Sequence, residues 1–513
     1  MNQRKQLPAR ANVEQLKKQA KDLQAQFRAG STDALERVRK VLPASRGLLA
    51  DAQLVIAREY GFESWSKLRR RVEAIDLDDP GNVFVEAACV ALDGSAHGSG
   101  GLDKAEAILA SHPRIAQQDV YIAAILGDAT AVQRLVEKNA RAATDTGGLY
   151  DWDPLTYLCF SRYLRNDPDG RFVRTARILL DGGASPSTGF YAQDHEPAPA
   201  FESAIYGAAG IAGHVGLTRL LLERGGDPND GETAYHVPEG YQNEVMKLLV
   251  ESGKLKPDGL TTMLGRKLDW HDFDGAAWLL DHGADANALS AWGRRALHQS
   301  LERDNPLRFV ELLLDRGADP RLTNAASLNA IAVAARAGRG DVLGLFEQRG
   351  FVLQLEGIDA LFAACARGKP APADPALVQA AQREAPGALA DFAGAGNTKG
   401  VALMLDLGFD PSLTTSRAGA QKDSPLHAAI WRARHETAKL LIARGAPLEQ
   451  RNGRRETPLS YAVRAALHSE WTRDRSAETV EALLAAGADA REVKLPTGWP
   501  VLDTLIEKHL PGR

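Results

Sequence analysis

The chain repeats a short pattern about every 35 residues, and this period limits the folds that are open to it. A Leu-rich segment, a glycine and a short polar turn recur, as in LLERGGDPN from Leu221, LLDHGADAN from Leu279 and LLAAGADAR from Leu483. Ten such intervals run from Asn139 to Gly487 and cover 348 residues. Because 513 residues exceed what one compact core holds, an array of repeats explains both the length and the period.

Each repeat is predicted to contain two short helices. Gly213 and Gly225 lie 12 residues apart, as do Gly338 and Gly350, and the later glycine can take the left-handed conformation that ends a helix. The other helix is predicted to begin in segments such as SPLHAAI at Ser424, TPLSYAV at Thr457 and DPLTYLC at Asp153. There a Ser, Thr or Asp side chain caps the helix and proline occupies its first turn.

These helix starts and Gly-Ala-Asp turns resemble those of the ankyrin-repeat family. The resemblance covers about residues 80–513, with a degenerate stretch at 350–408. It implies an all-α solenoid of helix-turn-helix repeats, with short turns that project between them as fingers. We therefore predict about 11–12 units over residues 79–513, ending in a capping half-repeat, WPVLDTLIEKHL.

Residues 1–78 do not follow the repeat and are predicted to form a small, basic helical domain. Apolar residues from Val13 recur at helical spacing, and Asp33 with Glu36 indicates a capping box. Further helices are predicted to start at Asp51 or its neighbour and at Ser64. The segments LPARANVEQLKKQAKDL and AREYGFESWSKL resemble the helical lead-in that precedes ankyrin repeats in some bacterial proteins. We expect this domain to pack on the first repeat.

Charge separates the two regions and raises one alternative function. Residues 1–75 hold 16 Lys and Arg against 8 Asp and Glu, a balance of +8, whereas the whole chain carries −4. RVRK at 37–40 and KLRRR at 67–71 could contact phosphates. No aromatic platform or groove-reading motif accompanies them, so a solvated helix face is the simpler interpretation and nucleic-acid binding stays an alternative.

Catalytic motifs are missing from the sequence. Neither GxxxxGK[ST] nor GxSxG occurs, and we predict no catalytic residue, cofactor or metal. The acidic segment LDWHDFDG offers Asp269, His271, Asp272 and Asp274 as a possible metal or small-molecule site. In the ankyrin pattern such residues instead tie the turn between paired helices to neighbouring backbone. The same structural role is predicted for four histidines: His214, His236, His298 and His427.

Aromatic residues in the longer loops are the candidates for contacting a partner. Insertions at 142–153 and 184–200 and the turn SAWGRRALH contribute them, and exposed aromatics beside arginine are typical of binding hot spots. The alternative is that each side chain folds back onto the adjacent repeat. The candidate residues are Tyr150, Trp152, Phe190, Tyr191, His195, Trp292 and Arg294.

The sequence therefore favours a non-catalytic protein-interaction module, such as a scaffold, adaptor or inhibitor. The resemblance implies a protein partner bound along the concave face and the fingers. Cys89, Cys159 and Cys365 form no CxxC pair and are interpreted as small core residues. With a polar N-terminus and no apolar run of about 18 residues, we expect a monomeric, cytoplasmic protein that does not enter membranes.

Overall fold

The structure is a computed structural model that describes residues 13–73, 79–90, 100–192, 199–371, 374–414, 422–469 and 475–510. The chain divides into two compact units, Met1–Trp270 and His271–Arg513, here called unit 1 and unit 2. The fold is mostly helical, as predicted. The predicted division between residues 78 and 79 stays a prediction.

Unit 1 begins with four helices: α1 (Val13–Arg28), α2 (Thr32–Val41), α3 (Leu49–Glu59) and α4 (Trp65–Glu73). They share a core that includes Leu16, Val38 and Leu68. The Ser64 hydroxyl accepts a hydrogen bond from the Lys67 backbone N–H at the start of α4, as predicted. The predicted capping role of Asp33 is wrong, because α2 already begins at Thr32.

The rest of unit 1 is built from short helices joined by turns. A two-stranded antiparallel hairpin pairs Gly189–Ala192 with Ala200–Ser203 and places Tyr191 opposite Phe201. The sequence did not predict this hairpin, because an isolated pair of four-residue strands gives little alternating pattern. The elements are α5 (Pro80–Ala88), α6 (Asp103–Ser111), α7 (Ile115–Gln118), α8 (Val120–Ile125), α9 (Ala129–Lys138), α10 (Pro154–Cys159), α11 (Arg171–Asp181), β1 (Gly189–Ala192), β2 (Ala200–Ser203), α12 (Val215–Glu223), α13 (Glu232–His236), α14 (Glu244–Glu251) and α15 (Pro257–Asp269), with a π-helical turn at Tyr206–Ile211.

Unit 2 consists of paired helices whose inner members pack side by side. Phe309, Phe346, Phe362 and Phe392 are its largest fully buried aromatic side chains. The helices are α16 (Phe273–Asp281), α17 (Ala296–Glu302), α18 (Leu307–Asp315), α19 (Ala330–Arg336), α20 (Gly340–Gln348), α21 (Gly357–Ala366), α22 (Pro375–Glu384), α23 (Ala388–Ala395), α24 (Thr398–Asp406), α25 (Pro425–Trp431), α26 (His435–Ala443), α27 (Pro458–His468), α28 (Glu478–Ala485) and α29 (Pro500–Glu507).

Local signals fix where these helices begin and end. The Thr457 hydroxyl accepts from the Ser460 backbone N–H at the start of α27, and Asp153 caps α10 in the same way. Gly487, at the end of α28, has a φ of 93°, a left-handed conformation that favours glycine. Asn139 ends α9 in another way, in an extended conformation with a φ of −148°.

The degenerate stretch brings helices of unit 2 together in an order that differs from simple stacking. The Asn397 side-chain amide donates to the carbonyl of Gly338, 2.8 Å away, and to that of Ala366, 2.7 Å away. The Phe392 ring lies directly against Gly338. Three turns between paired helices therefore meet where a regular array would keep them apart.

All three cysteines are buried and form no disulfide. Burial raises the pKa of Cys365 to about 11. These features confirm the interpretation of the cysteines as core residues and give their thiols little nucleophilic character. Among the residues that the structure describes, no helix combines the length and the apolar character needed to span a bilayer.

Candidate interaction surface

The aromatic residues predicted at residues 150–190 lie in the interior of unit 1. Tyr150, Trp152 and Phe190 are 5%, 3% and 5% exposed. The Trp152 and Phe190 rings stack with centroids 4.5 Å apart, and Tyr150 lies 4.8 Å from Trp152. The prediction that these three side chains are exposed is wrong, because the loops fold back and bury about 150 Å² or more of aromatic surface per ring.

A tyrosine of α10 holds this loop in place. The Tyr157 hydroxyl donates to the Gly147 carbonyl, 2.9 Å away, and accepts from the Tyr150 backbone N–H, 2.8 Å away. Burial raises the pKa of Tyr157 well above its ordinary value, so the hydroxyl stays protonated. The loop therefore packs over a buried group of aromatic rings. We call this group, which includes Tyr150, Trp152 and Phe190, the Trp152 cluster.

Of the two further candidates, Tyr191 and His195, the structure describes only Tyr191. Tyr191 is half-buried on β1, where its ring lies 5.2 Å from that of Phe201. His195 lies outside the described residues. A contact role for these two residues stays a prediction.

The turn before α17 carries the exposed candidates, and we call residues 287–295 the Trp292 finger. Trp292 is 52% exposed, and the Arg294 guanidinium pairs with the Glu302 carboxylate at 2.6 Å. Leu289, which is not among the residues predicted from the sequence, is 48% exposed on the same finger. A leucine inside a polar turn, where no helix periodicity requires it, was the available signal for this residue.

Hydrogen bonds to the next turn hold the Trp292 finger in one conformation. The Asn287 side-chain amide donates to the Gly317 carbonyl at 2.8 Å, and its oxygen accepts from the Asp319 backbone N–H at 2.8 Å. The Arg295 guanidinium donates to the Thr323 carbonyl at 2.8 Å. Because these bonds fix the backbone before binding, less conformational entropy is lost when a partner docks.

The acidic segment at 269–274 has structural partners. Asp269, at the end of unit 1, pairs with Arg266 at 2.6 Å. Asp272, in unit 2, accepts from the Gly275 backbone N–H at 3.0 Å and caps α16. Nowhere in the described ranges do three or more His, Cys, Asp or Glu side chains form a group that could hold a metal ion.

Three histidines make the structural hydrogen bonds that the sequence predicted. His214 Nδ1 accepts from the Leu217 backbone N–H at 3.0 Å. His298 Nε2 lies 2.9 Å from the Leu328 carbonyl, and His427 Nδ1 lies 2.8 Å from the Ser424 hydroxyl. Burial lowers the pKa of both His298 and His427, so both rings are neutral at pH 7.

His236 is held between two carboxylates instead. Its Nε2 lies 3.3 Å from Glu232 and its Nδ1 lies 3.1 Å from Glu239. Burial lowers the pKa of His236, but the two ion pairs together outweigh burial and raise that pKa to about 9. This histidine is therefore charged at pH 7 and neutralises acidic neighbours inside unit 1.

The predicted basic domain at residues 1–78 has part of its positive charge paired with its own carboxylates. Arg37 donates to both carboxylate oxygens of Glu59, at 2.9 and 3.0 Å. Lys67 pairs with Glu63 on the surface of α4, and the side chains of Arg70 and Arg71 lie outside the described part of the chain. These pairs leave fewer charges of RVRK and KLRRR for phosphate contacts than the sequence alone indicated.

The fold defines a class of protein built from stacked helical hairpins with projecting turns. Residues 421–453 match the ankyrin repeat family, and this range contains both α25 and α26. This match shows an ankyrin repeat at residues 421–453, and the recurring caps and helix-ending glycines elsewhere are consistent with the predicted array of such repeats.

Comparison with whole proteins adds little beyond the family. The chain is similar to the ankyrin repeat domain of Bcl-3, a member of the IkappaB protein family, with 19% identity over 55% of this chain and 98% of that chain. The TM-score is 0.22, and at that value the likeness says nothing about what this chain binds. No curated protein matches the chain.

Proposed function

We propose that this chain is a non-catalytic binding protein that holds a protein partner against the Trp292 finger. Ankyrin repeats are generally protein-interaction modules. The observation that carries the proposal is the pair of large apolar side chains, Leu289 and Trp292, about half exposed on one rigid turn. Tryptophan is one of the residue types enriched at binding hot spots.

The charges around the finger favour an apolar anchor over an ionic one. Arg294 is already paired with Glu302, and Arg295 donates to backbone carbonyls of the fingers. Val352, on a later turn of unit 2, is another exposed apolar side chain, at 73%. A partner would therefore insert apolar side chains beside Trp292, and scaffold, adaptor and inhibitor roles all fit this chemistry.

Affinity capture with paired variants tests the proposal. Full-length protein is compared with a Leu289→Ala, Trp292→Ala double variant and with a control, Leu48→Ala, Val501→Ala, which removes two apolar side chains of similar exposure outside the finger. The double variant should bind a captured partner at least about tenfold more weakly, since a hot spot contributes about 2 kcal/mol or more. The control should bind like the wild type.

Two results would contradict the proposal. If the double variant retains the partner as well as the wild type does, the Trp292 finger is not the contact surface. Failure of the wild type to retain any protein above the background of a heat-unfolded sample would remove protein binding itself.

A further inference from the structure

A cleft of about 580 Å³ opens on unit 2 where several turns between paired helices meet. We call it the Asp304 cleft. Its lining comes from five separate turns, at residues 304–307, 338–341, 366, 395–397 and 434. A regular repeat array spaces such turns along its length, so this convergence is particular to the present chain.

Asp304 ties the distant turns together. Its carboxylate lies 3.3 Å from the Arg339 guanidinium, 3.5 Å from that of Arg432 and 2.9 Å from that of Arg434. Arg434 follows Asp304 by 130 residues. The Asn397 side chain is hydrogen-bonded to the carbonyls of Gly338 and Ala366 in the intervening turns. Hydrogen bonds and ion pairs therefore hold the turns around the cleft in place.

Among the residues that line the cleft, Asn305 has a buried side chain without a hydrogen-bond partner. The residue is fully buried and lines the cleft. Its side-chain Nδ2 and Oδ1 have no hydrogen-bond partner among the described residues. Leaving a buried amide unpaired costs about 1–3 kcal/mol per group, so a ligand that satisfied both atoms would recover part of that cost.

The same turn position is satisfied elsewhere in unit 2. Asn397 accepts from the Gly400 backbone N–H and so caps α24, and Asp272 caps α16 in the same way. At Asn305 the following residue is Pro306, which is itself the N-cap of α18. Asn305 is therefore displaced from the capping role and its carboxamide is left for another partner.

The electrostatics of the cleft favour an anion. The first residues of α18 and α20 and the N-cap residues of α24 and α26 line it, and each of these helices has nine residues. Helix N-termini carry partial positive charge and unpaired N–H groups. The N-caps of α18, α20 and α26 make no side-chain capping bond.

Guanidinium groups also gather at this place. Three guanidiniums, those of Arg339, Arg432 and Arg434, face two carboxylates, those of Asp304 and Asp341. Arg339, only 7% exposed, lies in a partly desolvated setting between Asp304 and Asp341. Electrostatic attraction is stronger there than on an open surface.

We propose that the Asp304 cleft binds a small phosphate-bearing ligand. A phosphate group offers oxygens in several directions, which suits N–H donors that arrive from different turns, and guanidiniums match its geometry. A monoprotonated phosphate, or a phosphate ester with a nearby hydroxyl, also supplies the donor that Asn305 Oδ1 needs. This site is separate from the Trp292 finger and from protein binding.

Calorimetric titration of the full chain tests the proposal with two probes, inorganic phosphate and glycerol 3-phosphate, at constant ionic strength set with chloride. Asn305→Asp places a negative charge in the cleft without changing shape. Asn324→Asp adds the same charge to unit 2 at a half-buried turn position outside the cleft and is the matched control. Circular dichroism checks that each variant folds, and Asn305→Leu replaces Asn305→Asp if that variant does not.

The wild type should bind one equivalent of at least one probe with a dissociation constant below about 1 mM. Asn305→Asp should weaken binding at least about tenfold, and Asn324→Asp less than about twofold. Tighter binding of glycerol 3-phosphate would indicate an organic phosphate, and equal binding would indicate free phosphate. The proposal is overturned if neither probe saturates the wild type by about 10 mM, or if the Asn305 variant binds like the control.

Discussion

Replacing Asp304 with asparagine tests whether one carboxylate links turns that lie far apart in sequence. Asp304 has a φ of 52°, a left-handed conformation that asparagine also tolerates, so Asp304→Asn removes charge with little change in backbone preference. Arg339, which is 7% exposed, would then keep only Asp341 as its carboxylate partner. Arg432 and Arg434 would lose the carboxylate that they share.

The burial of each partner sets the expected magnitude. Breaking a buried ion pair costs about 3–5 kcal/mol, but Arg339 keeps its bond to Asp341 and a bond to the Asn305 carbonyl. The side chains of Arg432 and Arg434 are 26% and 34% exposed, and partly solvated pairs add little. We therefore expect a loss of about 2–3 kcal/mol in the free energy of unfolding of unit 2.

Urea unfolding and hydrogen exchange measure this loss. The matched control is Asp315→Asn, which removes an exposed pair with Arg349 and should cost less than about 0.5 kcal/mol. Amides of α17 and α18 and those of α25 and α26 should lose protection together in Asp304→Asn. The reasoning is refuted if both variants unfold alike, or if α25 and α26 keep wild-type protection.

Three further predictions follow from single residues. Trp152→Ala should lower the free energy of unfolding by about 3–5 kcal/mol, because Trp152 is 3% exposed. Trp292→Ala should change that free energy by less than about 0.5 kcal/mol, and equal midpoints of the two variants in chemical unfolding would contradict the burial of Trp152. His236 has a pKa raised to about 9, so its stabilisation is complete below about pH 6.5 and is lost as pH rises through about 9. His236→Gln should flatten that part of the stability profile, by about 1 kcal/mol or less after solvent screening, and an unchanged profile would argue against the two ion pairs. In α20, Gly340→Ala should destabilise the protein by about 1–3 kcal/mol, because a Cβ would collide with the Ala366 carbonyl. Gly344→Ala in the same helix meets nothing within 4 Å and should stabilise the protein by up to about 1 kcal/mol. Thermal unfolding should therefore shift in opposite directions for the two variants, and shifts of the same sign would contradict the packing at Gly340.

Helix boundaries were predictable because their signals are local. The Thr457 cap and the left-handed Gly487 depend on residues within one turn of each other, so the sequence determines them without knowledge of packing. The error at Asp33 has the same scale, because α2 begins at the neighbouring Thr32. Element ends are commonly uncertain by one or two residues.

The candidate surface was only partly predictable because exposure depends on distant contacts. Trp152 and Trp292 both lie in polar, turn-rich segments, yet one is 3% and the other 52% exposed. The difference comes from Phe190, a residue of β1 that stacks on Trp152, and no sequence period signals that hairpin. The contact between Asp304 and Arg434 is similarly invisible, since no repeat register places residues 130 positions apart together.

The tie between Asp304 and Arg434 also changes how unit 2 can fold and vary. In a linear repeat array each unit contacts only its neighbours, so units can be added or deleted and folding can start anywhere. Here the contact between residues 304 and 434 closes a long loop of the chain. Such a contact raises the contact order, so closing this loop should be a slow step in folding. Duplicating or removing a hairpin within it would separate the two ends, so this part of the chain should behave as one indivisible folding block.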